Sequence, residues 1–348
     1  MPSTQKALFL EKQAGDLVIS ETAVHKPGPG DVLIKIQATS LNPVDWKIWK
    51  APKYAGFLKD FPAILGTAVA GDIEEVGEEV EEFKKGDRVF CQGQFKNDRA
   101  SFQQYTLSAA AFVARIPPGF SYDQISTLPV ALSAAYVGMY NVNPHGLGIA
   151  PPVSEATQGQ YSGNPILVFG GASTVGQLVL QFAKLSGFSP IITTASLKHA
   201  DVLKPLGATN ILDRNLPADS LIAEVNKLTE GKPIKLIFDT VASESTQQVG
   251  VDILSSGGKM VLVGAATVKV PEDKMVNYIV GVASLPHNTE LLKTLYHDKI
   301  SELLEKGIIK TNTVEVLPNG LAGIPDGLAR MEANKVSASK LVAHPQDN

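Results

Sequence analysis

The spacing of hydrophobic and polar residues changes along the chain near residue 130. Upstream of that point, short alternating runs are separated by Gly, Pro and Asp, as in KPGPGDVLIKIQATS (26–40) and AVAGDIEEVGEEVEEFKKGDRVF (68–90). A period of two predicts half-buried strands, and the turn residues between them indicate antiparallel pairing. We therefore expect a β-rich domain over residues 1–130.

Residues 131–285 follow a different pattern, in which short continuous apolar runs alternate with helical periodicity. The runs are ILVFG, PIITTAS, KLIFDTVA and KMVLVGA. Buried parallel strands separated by helices produce this alternation, so we predict an α/β domain with a doubly wound parallel sheet. Two further segments stand apart: a Gly- and Pro-rich stretch at 141–165 that predicts a surface loop or lid, and a charged helix with a closing strand after residue 286.

Length and composition set the broad class of the protein. A chain of 348 residues favours two domains. The net charge of −4 gives no basic surface for nucleic acid, and no apolar run approaches the roughly 20 residues of a membrane span. The single cysteine, Cys91, excludes an internal disulfide framework and fits a reducing compartment. We expect a cytoplasmic protein that binds neither nucleic acid nor membrane.

The stretch VFGGASTVG (168–176) joins an apolar strand to a helix through a turn that is rich in glycine. Free backbone amides and the positive end of a helix dipole can hold a phosphate at such a turn. The dinucleotide-binding spacing G-x-G-x-x-G requires glycine at position 173, where this chain has serine. The candidate contacts are Gly171, Ser173, Thr174, Val175 and Gly176, and a tight turn without a ligand remains the alternative.

Seven segments in order along the chain resemble the medium-chain dehydrogenase/reductase superfamily. They are KPGPGDVLIKI, LNPVDWKI, PAILGTAVAGDIEEVG, KKGDRVF, VFGGASTVG, LGATNILD and FDTVA. Within that superfamily the chain is most similar to the zinc-free quinone oxidoreductases and enoyl reductases, particularly fungal ToxD-like and trans-acting enoyl reductases. The resemblance implies a GroES-like catalytic domain from residues 1–130 and 286–348, a Rossmann domain over 131–285, and a cofactor cleft at their junction. It also implies a monomer or a homodimer.

The positions that bind zinc in metal-dependent relatives differ in this chain. Asn42-Pro43-Val44-Asp45 stands where those relatives have a cysteine ligand, and Gly66-Thr67-Ala68 stands where they have Gly-His-Glu. A catalytic zinc needs three protein ligands and one open position, and the matching positions offer only Asp45. We therefore expect no metal. Without a Lewis acid to activate an alkoxide, alcohol dehydrogenation is not the expected reaction.

The chemistry that remains is reduction of an activated carbon–carbon double bond, which the resemblance also implies. Hydride from a reduced nicotinamide reaches the β-carbon of an enone, enal or enoyl thioester, and the carbonyl needs only hydrogen-bond polarisation. The segment NPVDWKIWKAPKY (42–54) matches the family region that faces the nicotinamide. Its candidate catalytic residues are Asn42, Asp45, Lys47 and Tyr54. Capping of a helix by Asn42 and Asp45, and a solvated Lys47, are the alternatives.

The end of the second strand of the parallel sheet predicts the choice of cofactor. NAD-binding proteins usually place an acidic residue there for the ribose hydroxyls, yet residues 170–200 contain neither Asp nor Glu. Ser196, Lys198 and His199 instead suit a 2′-phosphate, and Arg214 follows the next strand. We predict NADPH as the cofactor. The alternative is that Ser196 only caps a helix while Lys198 is solvated.

The resemblance implies four further cofactor contacts and leaves the substrate open. Relatives place the equivalent of Ser133 beside the nicotinamide, that of Val241 at the cofactor ribose, and those of Gly264 and Ala265 where their backbone groups can bind the carboxamide. Ordinary strand ends and helix packing are the alternatives. The substrate is a small α,β-unsaturated carbonyl compound or a quinone. A trans-acting enoyl reductase with a polyketide synthase as partner, and a cofactor-binding protein without important catalysis, are the other hypotheses.

Overall fold

The computed structural model describes residues 2–58, 60–154 and 156–347, which form two compact units. The first unit comprises Met1–Val130, Lys293–Glu305 and Thr311–Asn348, and the second comprises Ala131–Leu292 and Lys306–Lys310. Both ends of the chain therefore build one unit. The short return of Lys306–Lys310 to the second unit is fixed by Gln181, whose side chain bonds both the N–H and the C=O of Lys310.

The described residues form sixteen β-strands. In chain order they are β1 (Thr4–Leu10), β2 (Leu17–Ala23), β3 (Asp31–Ser40), β4 (Ala63–Ile64), β5 (Ala68–Val76), β6 (Arg88–Gln92), β7 (Tyr105–Ala109), β8 (Val113–Arg115), β9 (Ile166–Phe169), β10 (Ile191–Ala195), β11 (Asn210–Asp213), β12 (Leu236–Asp239), β13 (Lys259–Leu262), β14 (Met275–Tyr278), β15 (Thr313–Val316) and β16 (Ser339–Ala343).

Ten α-helices occur in the same part of the chain. They are α1 (Pro43–Lys50), α2 (Tyr122–Ser126), α3 (Pro129–Tyr140), α4 (Thr174–Ser186), α5 (Ala200–Leu203), α6 (Ala218–Leu228), α7 (Glu244–Ile253), α8 (Thr289–Lys293), α9 (Ile300–Glu305) and α10 (Ile324–Glu332). Short 3₁₀ segments include Pro52–Phe57 after α1 and Leu197–His199 after β10, and a π-helical turn spans Thr294–Lys299.

The first unit contains a seven-stranded sheet in the order β15-β16-β3-β5-β6-β8, with β7 also paired to β3, and a three-stranded sheet in the order β2-β1-β4. The alternation read from the sequence determines its core, because Val32, Ile34 and Ile36 on one face of β3 are fully buried. The antiparallel pairing of β16 with β3 places Val342 opposite Ser40. The C-terminal strand therefore lies next to the start of α1.

The second unit contains a six-stranded sheet in the order β11-β10-β9-β12-β13-β14, and every pair in it is parallel. Each of the four residues of β9 is buried, which explains why the run is continuously apolar. Successive connections run in opposite directions from β9, so the carboxyl ends of β9 and β12 form a topological switch point, where ligands bind in open α/β sheets. The predicted fold class, a β-rich unit together with a doubly wound parallel sheet, is confirmed.

The stretch at 141–165 is held against the end of α4 within the second unit. The N–H of Gly159 donates to Leu185 O, the N–H of Tyr161 donates to Ser186 O, and the ring of Tyr161 stacks on Phe188 with centroids 5.0 Å apart. This part of the stretch is a packed surface segment. In the described ranges, no helix combines the length and the apolar character needed to cross a membrane.

Candidate functional site

The glycine turn after β9 is shaped by close neighbours. A Cβ on Gly171 would lie 2.2 Å from Thr193 Oγ1, and a Cβ on Gly176 would lie 2.4 Å from the carbonyl oxygen of Gly170. Gly170 adopts φ +77°, a conformation that favours glycine. Tight packing against β10 and within the turn thus requires these glycines, whether or not a ligand binds.

Ser173 ends the turn and caps α4. Its Oγ accepts a hydrogen bond from the N–H of Gly176 at 2.9 Å and donates to Thr240 Oγ1 at 2.8 Å. The hydroxyl of this predicted cofactor contact is therefore already used within the protein. Thr174 and Val175 begin the helix, and the first amides of a helix have no acceptor inside it. Those amides, at the positive end of α4, are suited to a pyrophosphate.

Thr240 is a residue of this site that sequence analysis did not identify. Its Oγ1 lies 2.7 Å from Phe169 O and 3.0 Å from Gly170 O, and it accepts the bond from Ser173. The side chain joins the end of β12 to the turn after β9. A hydroxyl directly after the buried strand LIFD was the available signal, but its partners are 67 to 71 residues away in the chain.

A group of basic side chains follows β10 and β11. The parallel pairing of β10 with β11 places Ala195 opposite Asp213, and the N–H of Arg214 donates to Ala195 O, so Lys198, His199 and Arg214 follow neighbouring strand ends. The pKa of His199 is lowered, first by partial burial and then by the positive charges of Lys198 and Arg214. Lys198 and Arg214 are exposed, and in the described part of the chain neither forms an ion pair with a carboxylate. The side chain of Ser196 makes no capping hydrogen bond. Cations that repel one another are suited to a multiply charged anion.

The remaining predicted contacts in the second unit lie at strand ends and on α3. Val241 follows β12 and is 50% exposed, while Gly264 and Ala265 follow β13. Because the two strands are parallel neighbours, these loops lie at the same edge of the sheet. Ser133 is fully buried on α3, where Gly281 packs so closely that a Cβ on it would lie 2.7 Å from the carbonyl carbon of Ser133.

In the first unit, Asn42 and Asp45 hold the start of α1. The backbone N–H of Asn42 donates to Asp45 Oδ2 at 2.7 Å, and its Nδ2 donates to Ser40 O at 3.0 Å. Lys340 on β16 donates from Nζ to Asn42 Oδ1 at 2.5 Å. Sequence analysis did not identify Lys340, because it lies 298 residues from Asn42 and stands in an ordinary closing strand.

Burial determines the electrostatics of this group. Asp45, Asn42 and Lys340 are 0%, 1% and 3% exposed. Burial raises the pKa of Asp45 to about 7, while the Asn42 N–H and the charge of Lys340 oppose the rise. Burial lowers the pKa of Lys340 to about 8, and Asp45 opposes that shift. Oδ1 of Asp45 has no hydrogen-bond partner among the described residues, and the rise in the pKa of Asp45 is opposed first by the Asn42 N–H and then by the charge of Lys340.

Tyr54 and Lys47 lie outside this buried group. The ring of Tyr54 is 5.9 Å from that of Phe57, and no hydrogen bond links Tyr54 to Asn42, Asp45 or Lys47 within the described ranges. Lys47 is half-buried, and its pKa is lowered by burial and then by the charge of Lys53. Of the four predicted catalytic residues, the structure joins only Asn42 and Asp45 directly, and Lys47 and Tyr54 retain accessible surface.

The positions equivalent to zinc ligands are occupied by buried polar side chains. The side chain of Asn42 already bonds Ser40 O and Lys340 Nζ, and Thr67 is 4% exposed. In the part of the chain that the structure describes, no group of three or more His, Cys, Asp or Glu residues is arranged to hold a metal. Burial raises the pKa of the Cys91 thiol to about 12, which keeps it protonated.

Two family models match the chain. The GroES-like domain of alcohol dehydrogenases matches residues 28–118, and the zinc-binding dehydrogenase domain matches residues 174–285. The second match lies within the parallel-sheet unit and includes neither Asn42 nor Thr67. The two domains occur in the order that the sequence segments predicted.

Curated relatives extend the similarity to almost the whole chain. Dehydrogenase orsE of Emericella nidulans is 29% identical, with 98% of this chain and 99% of the relative covered. Trans-enoyl reductase ACTTS2 of Alternaria alternata is also 29% identical, with coverages of 97% and 98%.

Solved structures share the fold. A quinone oxidoreductase of Pseudomonas syringae matches with a TM-score of 0.75 at 23% identity, covering 97% of this chain and 99% of its own. A mycobacterial protein complexed with NADPH matches with a TM-score of 0.77 at 21% identity, covering 98% and 100%. Both domain models, the full-length relatives and the shared fold agree with the resemblance read from the sequence. The chain is an oxidoreductase that belongs to the medium-chain dehydrogenase/reductase superfamily.

Proposed function

We propose that the protein is a zinc-independent, NADPH-dependent reductase of carbon–carbon double bonds conjugated to a carbonyl group. The observation that carries the choice of NADPH is the basic group of Lys198, His199 and Arg214 at the ends of β10 and β11, where no carboxylate pairs with Lys198 or Arg214 among the described residues. End-to-end similarity to a trans-enoyl reductase supports the reaction.

In this proposal the second unit binds the cofactor. Gly171, Gly176 and the amides of Thr174 and Val175 hold the pyrophosphate, and the hydroxyl of Ser173 keeps the turn in place. The 2′-phosphate is bound by Ser196, Lys198, His199 and Arg214, because charge-assisted bonds to phosphate are stronger than neutral ones. Ser133, Val241, Gly264 and Ala265 are assigned to the nicotinamide half.

The first unit supplies the groups that act on the substrate. A bound NADPH supplies hydride to the β-carbon, and one proton must reach the α-carbon for the double bond to become saturated. Tyr54 and Lys47 keep accessible surface and can polarise the carbonyl or deliver that proton. Asn42 and Asp45 are buried, so we assign them, with Lys340, to positioning the start of α1.

The position of a deuterium label in the product tests which carbon atom receives the hydride. NADPH deuterated at C4 of the nicotinamide is offered with an α,β-unsaturated ketone, and deuterium is expected at the β-carbon of a saturated ketone. Deuterium at the carbonyl carbon would instead identify a ketone reductase, and turnover of quinones alone would identify a quinone reductase. Tyr54→Phe is expected to lower kcat by roughly 10²-fold if its hydroxyl is the proton donor.

Delivery of the substrate is a separate question. A reductase that serves a synthase is expected to turn over an enoyl thioester on a carrier protein with a higher kcat/KM than the same acyl group on a small thiol. Equal values for the two substrates would support a free-standing enzyme.

A further inference from the structure

One buried side chain joins the loops that follow β12 and β13. Gln247 on α7 is 0% exposed. Its Nε2 donates to Ala242 O and to Ala265 O, both at 3.1 Å, while its Oε1 accepts the N–H of Thr267 at 2.8 Å. The hydroxyl of Thr267 lies 3.3 Å from the same oxygen. Both amide hydrogens and both acceptor sites are thus used between the two loops.

The loop after β12 is held in an unfavourable backbone conformation. Ala242 has φ +54°, in the left-handed region that a Cβ disfavours by about 1–2 kcal/mol. Asp239 Oδ1 accepts the amides of Val241 and Ala242 at 2.8 and 2.9 Å. Gln247 binds the carbonyl of the same Ala242. The conformation therefore persists because the residue is fixed on its amide side and on its carbonyl side.

The two loops are also in close contact. A Cβ placed on Gly264 would lie 3.1 Å from the Cβ of Ala242, tighter than most such contacts. A shift of either loop therefore changes the surface of the other. The fully buried side chain of Gln247 bonds both loops and thereby holds them at a fixed separation.

We propose that Gln247 is a positioning residue for the nicotinamide half of the cofactor. The inference rests on the proposed function, which assigns Val241, Gly264 and Ala265 to that half. In this proposal Gln247 does not itself contact the cofactor, because its side chain is fully buried. By setting the distance between Val241 and the pair Gly264–Ala265, it determines whether the two loops can contact one dinucleotide at the same time.

Two ligands separate this role from a general effect on folding. NADPH occupies the whole proposed site, whereas 2′,5′-ADP carries only the 2′-phosphate, the adenosine and one 5′-phosphate. Gln247→Met removes all four bonds. Gln247→Glu keeps an acceptor for Thr267 and loses the donors to Ala242 and Ala265. Both variants are expected to bind NADPH about 10-fold more weakly, which corresponds to about 1.4 kcal/mol, and 2′,5′-ADP within about 2-fold of wild type. Calorimetric titration measures both affinities.

The neighbour Gln248 supplies the matched control, because its side chain is exposed and, among the described residues, bonds only Asp252 on the same helix. Gln248→Met is expected to leave both affinities unchanged. Equal losses for NADPH and 2′,5′-ADP, or no loss for either, in folded Gln247 variants would overturn the role of Gln247 alone. A wild-type protein that binds neither ligand would reject the proposed function and this inference together. Hydrogen exchange at the Thr267 amide checks the loop contact without a ligand: it is expected to accelerate in Gln247→Met, which removes the acceptor, and much less in Gln247→Glu, which keeps one.

Discussion

At the scale of single residues, the structure has two kinds of basic side chain: exposed ones that pair with no carboxylate among the described residues, and a buried one close to a carboxyl group. Lys198 and Arg214 lie near another basic group and pair with no carboxylate in the described part of the chain. Lys340 is buried and donates to Asn42 at the start of α1, and its positive charge opposes the raised pKa of Asp45. The first arrangement is suited to binding an anion, and the second stabilises the fold.

Lys198→Ala tests the anion site. Loss of the Lys198 ammonium group removes one charge-assisted bond to the 2′-phosphate, worth roughly 1.5–3 kcal/mol. NADPH affinity is therefore expected to fall roughly 10- to 150-fold. Because Lys198 is exposed, the lower end of that range is expected, and added salt should weaken NADPH more than NADH. NADH has no 2′-phosphate, so its affinity should scarcely change. Titration of both cofactors against wild type and variant measures the difference.

Lys204→Ala is the control, since Lys204 is an exposed lysine just beyond α5. It should leave both cofactors unaffected. Equal affinities of wild type for NADPH and NADH would contradict the assignment of NADPH.

The buried pair makes a prediction about stability. Lys340→Met leaves Asn42 Oδ1 without its donor and removes the positive charge that opposes the raised pKa of Asp45. Because the bond from Lys340 goes to Asn42 and not to the carboxyl, we expect a loss of about 1–3 kcal/mol, the usual cost of a buried polar group left unsatisfied. Combination with Asp45→Asn removes the uncompensated charge as well, so the double variant should lose less than the sum of the single variants. Urea unfolding of the four proteins at one pH gives this coupling, with the exposed Lys335→Met as control. Strictly additive losses would show that the two groups do not interact.

At the scale of elements, strand pairing brings the C-terminal segment onto a helix far away in the sequence. His344 follows β16, and its Nε2 lies 2.7 Å from Asp123 Oδ1 on α2, while its Nδ1 lies 3.2 Å from Asp347 Oδ2. Partial burial by itself lowers the pKa of His344, but the bonds and charges of Asp123 and Asp347 outweigh it and raise that pKa overall. The imidazolium thus links β16 to α2.

The raised pKa predicts how stability depends on pH. Since the folded pKa lies above the unfolded value of about 6.5, the contribution of His344 is complete below that value and is lost as the pH rises through the folded pKa. His344→Gln should therefore destabilise the protein at pH 5.5, by about 1 kcal/mol or less because the pair is partly exposed, and should cost less at pH 8.5. Urea unfolding at both pH values, with the exposed His25→Gln as control, measures the change. A larger loss at the higher pH would be the opposite result.

The elements themselves were the most predictable part of the molecule. The continuous apolar run 166–169 became β9, and the helical spacing after it became α4, which begins at Thr174 and ends before Gly187 at φ +90°. These features depend on residues that are close in sequence, so their pattern suffices. The stretch at 141–165 was predicted to be a surface loop or a lid, and the packing of Tyr161 on Phe188 favours the surface loop, a contact that composition does not reveal.

At the scale of the whole molecule, the expected reaction requires no metal. Asn42 and Thr67 stand at the two positions where zinc-dependent relatives have ligands, and neither side chain is among the usual zinc ligands. Elemental analysis of active protein should find zinc well below one equivalent, and treatment with a chelator should leave turnover unchanged. Activity that is lost on chelation and restored by added zinc would contradict this prediction.

The sequence by itself determined the class of the two units, the glycine turn and the superfamily, because alternation, turn residues and short ordered segments are local properties of the chain. It also identified the residues of the proposed cofactor site, which remain predictions. Only the tertiary structure decided which buried polar groups meet. Lys340 reaches Asn42 because β16 pairs with β3, and Gln247 joins two loops because β12 and β13 are parallel neighbours. Such partners are invisible in a linear pattern, since the hydrogen bonds that satisfy a buried charge or amide depend on strand order rather than on sequence spacing.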